Sequence, residues 1–165
     1  MKKYKILFVC HGNICRSPMA EFIFCHLAQK AGVVELFEVS SSATSTEEIY
    51  RGVGNPIYPP AAAELKRRGV PFSYRRAKQI TEQEAEYYDL LICMDESNVR
   101  NTKRLLGDGA DKKIKKLMDY TERGGIVSDP WYTDRFDIAF DDIYEGCEGL
   151  LKRLLSCGEC LESRE

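Results

Sequence analysis

Long apolar runs are missing from this sequence: no stretch approaches the roughly 20 residues of a membrane-spanning helix. The start, Met1-Lys2-Lys3-Tyr4, is basic, but the apolar run behind it ends at His11-Gly12. That is short of the about 7–15 residues of a signal-peptide core. An excess of either charge is missing as well. The formal net charge of −2 gives no general attraction to nucleic acid or to an anionic membrane. No repeat, linker or low-complexity tract interrupts the chain.

Cysteines are present, but not in a disulfide or zinc pattern. The seven of them are odd in number and scattered, unlike the even frameworks of small secreted domains, so a reducing cytoplasm is the expected location. Cys157-Gly-Glu-Cys160 lacks the two further ligands a zinc site needs, and is expected to belong to a frayed tail, 156–165. Hydrophobic residues make up 44% of the chain and charged residues 30%, an ordinary globular balance. A chain of 165 residues is enough for one domain, with its core at about 5–155, built without disulfides or metals.

Strand and helix patterns alternate. Lys5–Cys10 reads as a buried strand. A helix follows, with Ala20, Ile23, Phe24, Leu27, Ala28 and Ala31 at helical spacing and Gly32 as its stop; Ser17 and Pro18 fit the N-cap and first turn. Phe37–Ser42 is expected as strand two, Ala61–Arg68 as a helix, Asp89–Met94 as strand three and Glu96–Leu106 as a helix. Lys113–Leu117 is a weaker fourth strand. A long final helix carries Phe136, Phe140, Ile143, Cys147, Leu150, Leu151 and Leu154 on one face. Such alternation implies a three-layer α/β/α domain around a parallel sheet, with ligands held outside the carboxyl ends of the strands. The loops 10–17, 43–58, 94–97 and 118–134 should therefore converge.

The first of these loops, Cys10-His11-Gly12-Asn13-Ile14-Cys15-Arg16-Ser17, carries the chemistry. A thiol at a strand end, with a tight loop opening a helix, is placed to attack phosphorus. The loop N–H groups and the helix N-terminus can hold an oxyanion, and Arg16 can pair two of its oxygens. The same positive field favours a thiolate at Cys10. The fourth loop brings Asp129, an acid to protonate the departing oxygen and then to act as base for the water that hydrolyses a cysteinyl-phosphate. On its own, Asp129-Pro130 also reads as a turn. Trp131 and Tyr132 beside it, with Tyr50 from the second loop, would wall a slot for an aryl phosphate.

Other features carry less. His11 contributes its backbone N–H rather than its ring, and His26 is expected to be solvated. Gly52-Val-Gly54 opens no helix and is not a dinucleotide fingerprint. The run Lys112–Lys116 lacks interleaved aromatics and reads as a solvated strand face.

Val9-Cys10-His-Gly-Asn-Ile-Cys15-Arg16-Ser17-Pro18-Met-Ala-Glu21 resembles the signature of low-molecular-weight protein-tyrosine phosphatases. The likeness continues through Ser42-Ala-Thr44, Gln79-Ile-Thr81, Cys93-Met-Asp-Glu-Ser-Asn98 and Asp129-Pro-Trp-Tyr132. It implies a four-stranded parallel sheet in order 2-1-3-4 and no metal or organic cofactor. By the same resemblance Cys10 is the nucleophile, Arg16 the phosphoryl clamp and Asp129 the general acid. Ser17 would stabilise the thiolate, and Asn13 would brace the loop with Ser42. Cys15 matches the family's second cysteine, a redox partner for the nucleophile; two thiols in one short loop favour fast closure once a sulfenic acid forms. The implied partners are phosphotyrosine-containing proteins, with phosphate, sulfate or vanadate at the loop, acted on by a monomer or weak dimer.

The sequence departs from the family pattern in two places. Arg75 stands where many relatives carry a His that braces the loop, and Trp131 where animal members have the first of two tyrosines. Three other functions remain open at this point. Phosphoarginine phosphatases share the fold but resemble one another in having Thr at the place of Ile14. Thioredoxin-coupled arsenate reductases use two further cysteines after strand three, where Cys93 has no companion. A non-catalytic phosphotyrosine-binding module would be expected to lack the thiol or the acid.

Overall fold

Ile6, Leu7, Phe8 and Val9 are fully buried, and their alternating side chains feed two separate cores. The computed structural model describes residues 3–157. Its elements are β1 (Tyr4–Cys10), α1 (Arg16–Lys30), β2 (Phe37–Ala43), β3 (Ile49–Tyr50), β4 (Val53–Gly54), α2 (Pro59–Arg67), α3 (Glu82–Tyr87), β5 (Leu90–Cys93), α4 (Glu96–Leu106), β6 (Ile114–Lys116), α5 (Pro130–Thr133) and α6 (Phe136–Ser156). Four strands form one sheet in the order β2-β1-β5-β6, all parallel. This is the three-layer architecture expected from the strand–helix alternation, in the strand order that the family resemblance implies.

On one face Ile6, Phe8 and Ile92 pack against the apolar sides of α1, α2 and α6. Phe24 of α1 sets its ring edge-on to Phe37 of β2 at 5.1 Å, which ties the helix to the sheet. On the other face Leu7, Val9, Leu91 and Cys93 meet Ala85 of α3 and Ile114, with Val99 and Leu106 of α4 alongside. A strand buried on both faces needs an unbroken apolar run, and β1 and β5 supply one each. The register places Cys10 opposite Ala43 and Val9 opposite Cys93, so β1 ends in the middle of the sheet's carboxyl edge.

Helix boundaries follow local chemistry. Asp95 and Asn98 form a reciprocal capping box that starts α4: Asn98 N–H donates to Asp95 Oδ1 at 2.8 Å and Asp95 N–H to Asn98 Oδ1 at 3.2 Å. Gly32, at φ 71°, lies just beyond α1, where left-handed backbone favours glycine. The expected Ser17 cap is not made: α1 begins at Arg16 with Cys15 in the cap position and no side-chain cap. The Ser17 hydroxyl is bonded to Cys10 and Asn13 instead.

β6 is shorter than the expected Lys113–Leu117. Lys113 ends a 3-10 turn and Leu117 starts another. Within the lysine run, Lys113 Nζ donates to Ala85 O and Glu86 O at the end of α3, and Lys116 pairs with Glu96. Two of these lysines are therefore pinned rather than freely solvated. The expected frayed tail and Cys160 lie outside the described residues beyond Cys157. Among the described residues no helix is long and apolar enough to cross a membrane.

The described cysteines are free thiols, several of them in the cores. Burial pushes Cys93 up from 9.0 to about 12, pushes Cys25 up to about 11, and raises Cys147 and the Tyr88 phenol in the same direction. A folded-state pKa above the unfolded value gives stability that is fully present below about pH 9 and lost as pH rises through the folded value. The melting temperature is therefore expected to fall steadily between about pH 9 and 12. Cys93→Ala should flatten part of that slope. An identical slope in both chains would assign the alkaline loss to other groups.

Candidate active site

The loop between β1 and α1 folds around one sulfur. Cys10 is only 3% exposed. The Asn13 backbone N–H points at Cys10 Sγ from 3.3 Å, and Ser17 Oγ lies 3.0 Å from the same atom. Asn13 is fully buried at φ 58°, the left-handed conformation that turns its N–H inward. Its Nδ2 donates to Ser17 Oγ at 2.8 Å. Its Oδ1 accepts from the Lys78 N–H at 3.2 Å and from Arg75, whose other terminal nitrogen reaches the Asn13 carbonyl at 2.6 Å. Ser42, the expected brace for Asn13, is engaged elsewhere: its hydroxyl takes Lys78 Nζ at 2.7 Å and donates to Glu84. Arg75 and the Lys78 backbone make the contact instead.

Arg16 is held rigidly. Nη1 donates to Asp95 Oδ2 at 2.6 Å and to the Val127 carbonyl at 2.9 Å, while Nη2 reaches Asp129 Oδ2 at 3.3 Å. Burial works against its charge, but Cys10, Asp129 and Asp95 together outweigh it and push its pKa up. Asp129 is positioned by its other oxygen, which caps α5 by accepting Trp131 N–H at 3.0 Å. Burial drives Cys15 the opposite way from a thiolate, pushing its pKa up with help from Cys10 and Asp129 against the pull of Arg16.

Cys10, Arg16 and Asp129 share one cavity. His11, Gly12, Ile14 and Cys15 complete its floor, and Trp131 and Tyr132 line one side. Trp131 packs its ring at a tilt against Tyr58, centroids 5.2 Å apart, whereas Tyr132 is 86% exposed. Tyr50 is not part of the wall: it sits on the β3–β4 hairpin, 72% exposed, with the Arg51 guanidinium over its ring. That side of the cavity is formed by Glu47 and Glu48. Among the described residues no group of three or more His, Cys, Asp or Glu is placed to hold a metal ion.

The family profile described as low molecular weight phosphotyrosine protein phosphatase matches residues 5–158. The chain belongs to this phosphatase family. It is 38% identical over 148 residues to the low molecular weight protein-tyrosine-phosphatase YfkJ of Bacillus subtilis, covering 88% of this chain and 92% of that one. The human low molecular weight phosphotyrosine protein phosphatase is 39% identical over 145 residues, covering 86% and 87%. The crystal structure of YfkJ superposes with a TM-score of 0.88 at 34% identity, over 100% of this chain and 99% of that one. The low molecular weight protein tyrosine phosphatase of Streptococcus pyogenes gives a TM-score of 0.81 at 36% identity, over 98% and 99%.

Several residues of this phosphatase site escaped the sequence reading. Asp95 was visible only within a motif; its double use, capping α4 and holding Arg16, needs the fold to be seen. Glu47 pairs with the His11 ring at 2.9 Å, so the imidazole is engaged at the rim rather than idle. Glu48 is anchored by Asn55 at 2.8 Å and its stem packs over Gly12, where a Cβ would lie 3.1 Å from Glu48 Cγ. The sequence signal for both was their place in a loop following a strand of the parallel sheet.

Proposed function

We propose that the chain hydrolyses phosphotyrosine on proteins by two displacements at phosphorus, through a cysteinyl-phosphate on Cys10. The observation that carries this reading is the meeting of Cys10, Arg16 and Asp129 in one cavity, with the acid 3.3 Å from the arginine. The phosphoryl oxygens take the loop N–H groups of 11–15 and the outward side of Arg16. Cys10 sulfur attacks phosphorus, and Asp129 gives its proton to the departing phenolate oxygen. Asp129, now a carboxylate, removes a proton from the water that attacks the cysteinyl-phosphate. Phosphate leaves and the thiolate returns. Ser17 and Asn13 support the sulfur. Ile14, Trp131 and Tyr132 receive the ring.

Cys15 takes a different part. Kept protonated by burial, it does not compete with Cys10 for phosphorus. When peroxide oxidises Cys10 to a sulfenic acid, the Cys15 sulfur displaces water and a Cys10–Cys15 disulfide forms. The odd number and scattered spacing of the cysteines support work in a reducing cytoplasm, and the family resemblance supports a monomer or weak dimer.

Hydrolysis of a phosphotyrosine peptide in the presence of a metal chelator tests the reading. Turnover with competitive inhibition by vanadate supports it, and the absence of turnover overturns it. Ile14 sets the choice between an aryl phosphate ester and a guanidino phosphoramidate. Its branched apolar side chain at the cavity floor suits a phenyl ring better than a guanidinium. Ile14→Thr should therefore lower the ratio of kcat/KM for phosphotyrosine over phosphoarginine peptides by on the order of tenfold. An unchanged ratio would assign specificity to the walls.

A further inference from the structure

We propose that Glu47 and Glu48 make the enzyme select phosphotyrosines that stand beside a lysine or arginine in the substrate chain. The proposal rests on the phosphatase reading and names a substrate class for it. It starts from a mismatch of charge at the cavity mouth. Phosphotyrosine brings a dianion, and the floor answers it with Arg16 and the loop N–H groups. One wall is nonetheless built from two consecutive carboxylates, Glu47 and Glu48. Arg16 is the only arginine or lysine among the described residues lining the cavity, and Asp95 and Asp129 already pair with it. Like charges set side by side at a binding surface cost affinity, so this wall works against an isolated phosphate ester. A cation carried next to the phosphotyrosine turns that cost into attraction.

The backbone fixes the two glutamates where they stand. Thr44 N–H donates to the Cys10 carbonyl at 2.9 Å, and Ser45 N–H and Oγ both donate to the His11 carbonyl, at 3.0 and 2.9 Å. The segment leaving β2 is thus bonded to the loop between β1 and α1 just before it reaches Glu47. Glu48 is held from its other side: its carbonyl accepts Asn55 N–H at 2.8 Å, its Oε2 accepts Asn55 Nδ2, and its stem lies against Gly12. The Glu47 side chain is 69% exposed and gives Oε2 to His11 Nε2 at 2.9 Å. A carboxylate accepts at both oxygens, so Oε1 is left for a donor from outside. The hairpin's own cation is occupied elsewhere, since the Arg51 guanidinium lies over the Tyr50 ring. Trp131 and Tyr132 add to the fit. Both are more than half exposed, and an aromatic face attracts a lysine or arginine head. Two walls of different chemistry therefore favour the same neighbour.

The test uses three peptides that differ only in the residues flanking phosphotyrosine: alanine, lysine or glutamate on both sides. Two readouts are taken: kcat/KM on the parent chain, and Kd on Cys10→Ser, which needs no turnover. The lysine peptide should exceed the glutamate peptide by on the order of tenfold in kcat/KM at low salt. That ratio should shrink toward one in about 0.5 M sodium chloride. Glu47→Gln should lower the ratio by about threefold and at the same time raise kcat/KM for p-nitrophenyl phosphate, which carries no cation. Glu48→Gln keeps an oxygen for Asn55 and should act in the same direction. Glu47→Lys should bring the ratio to one or below. Equal kcat/KM for the three peptides, or a ratio that survives both glutamine substitutions, would overturn the proposal. A uniform fall across all substrates in the glutamine variants would also count against it, because loss of charge selection moves the cation-free ester the other way. If the parent turns over none of the peptides, the phosphatase reading fails, and Kd on Cys10→Ser still decides: tighter binding of the lysine peptide supports the proposal, and equal binding defeats it.

Discussion

Cys10→Ser is expected to leave no measurable turnover of aryl phosphate, a fall of at least about 10⁴-fold in kcat. Serine is nearly isosteric with cysteine, so the loop should close around it as before. What it lacks is an accessible anion, and neither group bonded to the side chain at position 10 is a base that could make one. The neighbours of Cys10 Sγ are the Asn13 N–H and the Ser17 hydroxyl, groups suited to solvating an anion already formed. The imidazole one residue away is turned to Glu47 at 2.9 Å. A Ser–His type of activation is therefore not built here. The variant should still bind oxyanions through the loop N–H groups and Arg16. Saturating phosphate is expected to raise its melting temperature, as it does for the parent chain. Retained turnover would place the nucleophile elsewhere, and loss of the phosphate-induced shift would mean that the loop itself had collapsed.

Much of this site was legible before the fold was known, for a definable reason. From β1 through the loop to α1, hydrophobic pattern and chemistry coincide: Ile6-Leu7-Phe8-Val9 announces a strand buried on both faces, and the next residue is the thiol. α4 was placed at Glu96–Leu106 because its signals are local. Asp129 was legible through topology, since a loop following a strand of a parallel sheet must return to the carboxyl edge.

The misses share a different cause. Ser17 has the composition and place of a helix cap, but its hydroxyl is claimed by Cys10 and Asn13, a tertiary demand that outweighs the local preference. Ser42 lies close to the loop, yet the Lys78 and Glu84 charges capture its hydroxyl. Tyr50 is carried off the cavity by the tight β3–β4 turn, in which Arg51 and Gly52 both have positive φ. Two-residue strands are too short for any periodic signal to betray them. Asp95 acts through a partner 79 residues away, and no spacing rule reaches that far; Arg75 was singled out only by the family resemblance, at the place of the loop-bracing His.

Asp129→Ala is expected to lower kcat on phosphotyrosine by about 10²–10⁴-fold while KM changes far less. The carboxyl group is set over the reacting region by two separate bonds: Oδ1 to the Trp131 N–H and Oδ2 to Arg16. Arg16 keeps Asp95 and the Val127 carbonyl when Asp129 is gone, so oxyanion binding survives. The loss should depend on the leaving group. Tyrosine, with a phenol pKa of about 10, leaves as a strong base that needs a proton in the transition state. The more acidic p-nitrophenol departs with less help, so its phosphate should lose much less activity in the variant. Because Asp129 also caps α5, alanine removes a structural contact along with the acid. Asp129→Asn separates the two: asparagine is an equally good cap acceptor but has no carboxyl proton to give. If Asp129→Asn is as slow as Asp129→Ala on phosphotyrosine, the proton is what was lost. If it recovers most of the parent rate, Asp129 serves to fold the loop and the acid is another group.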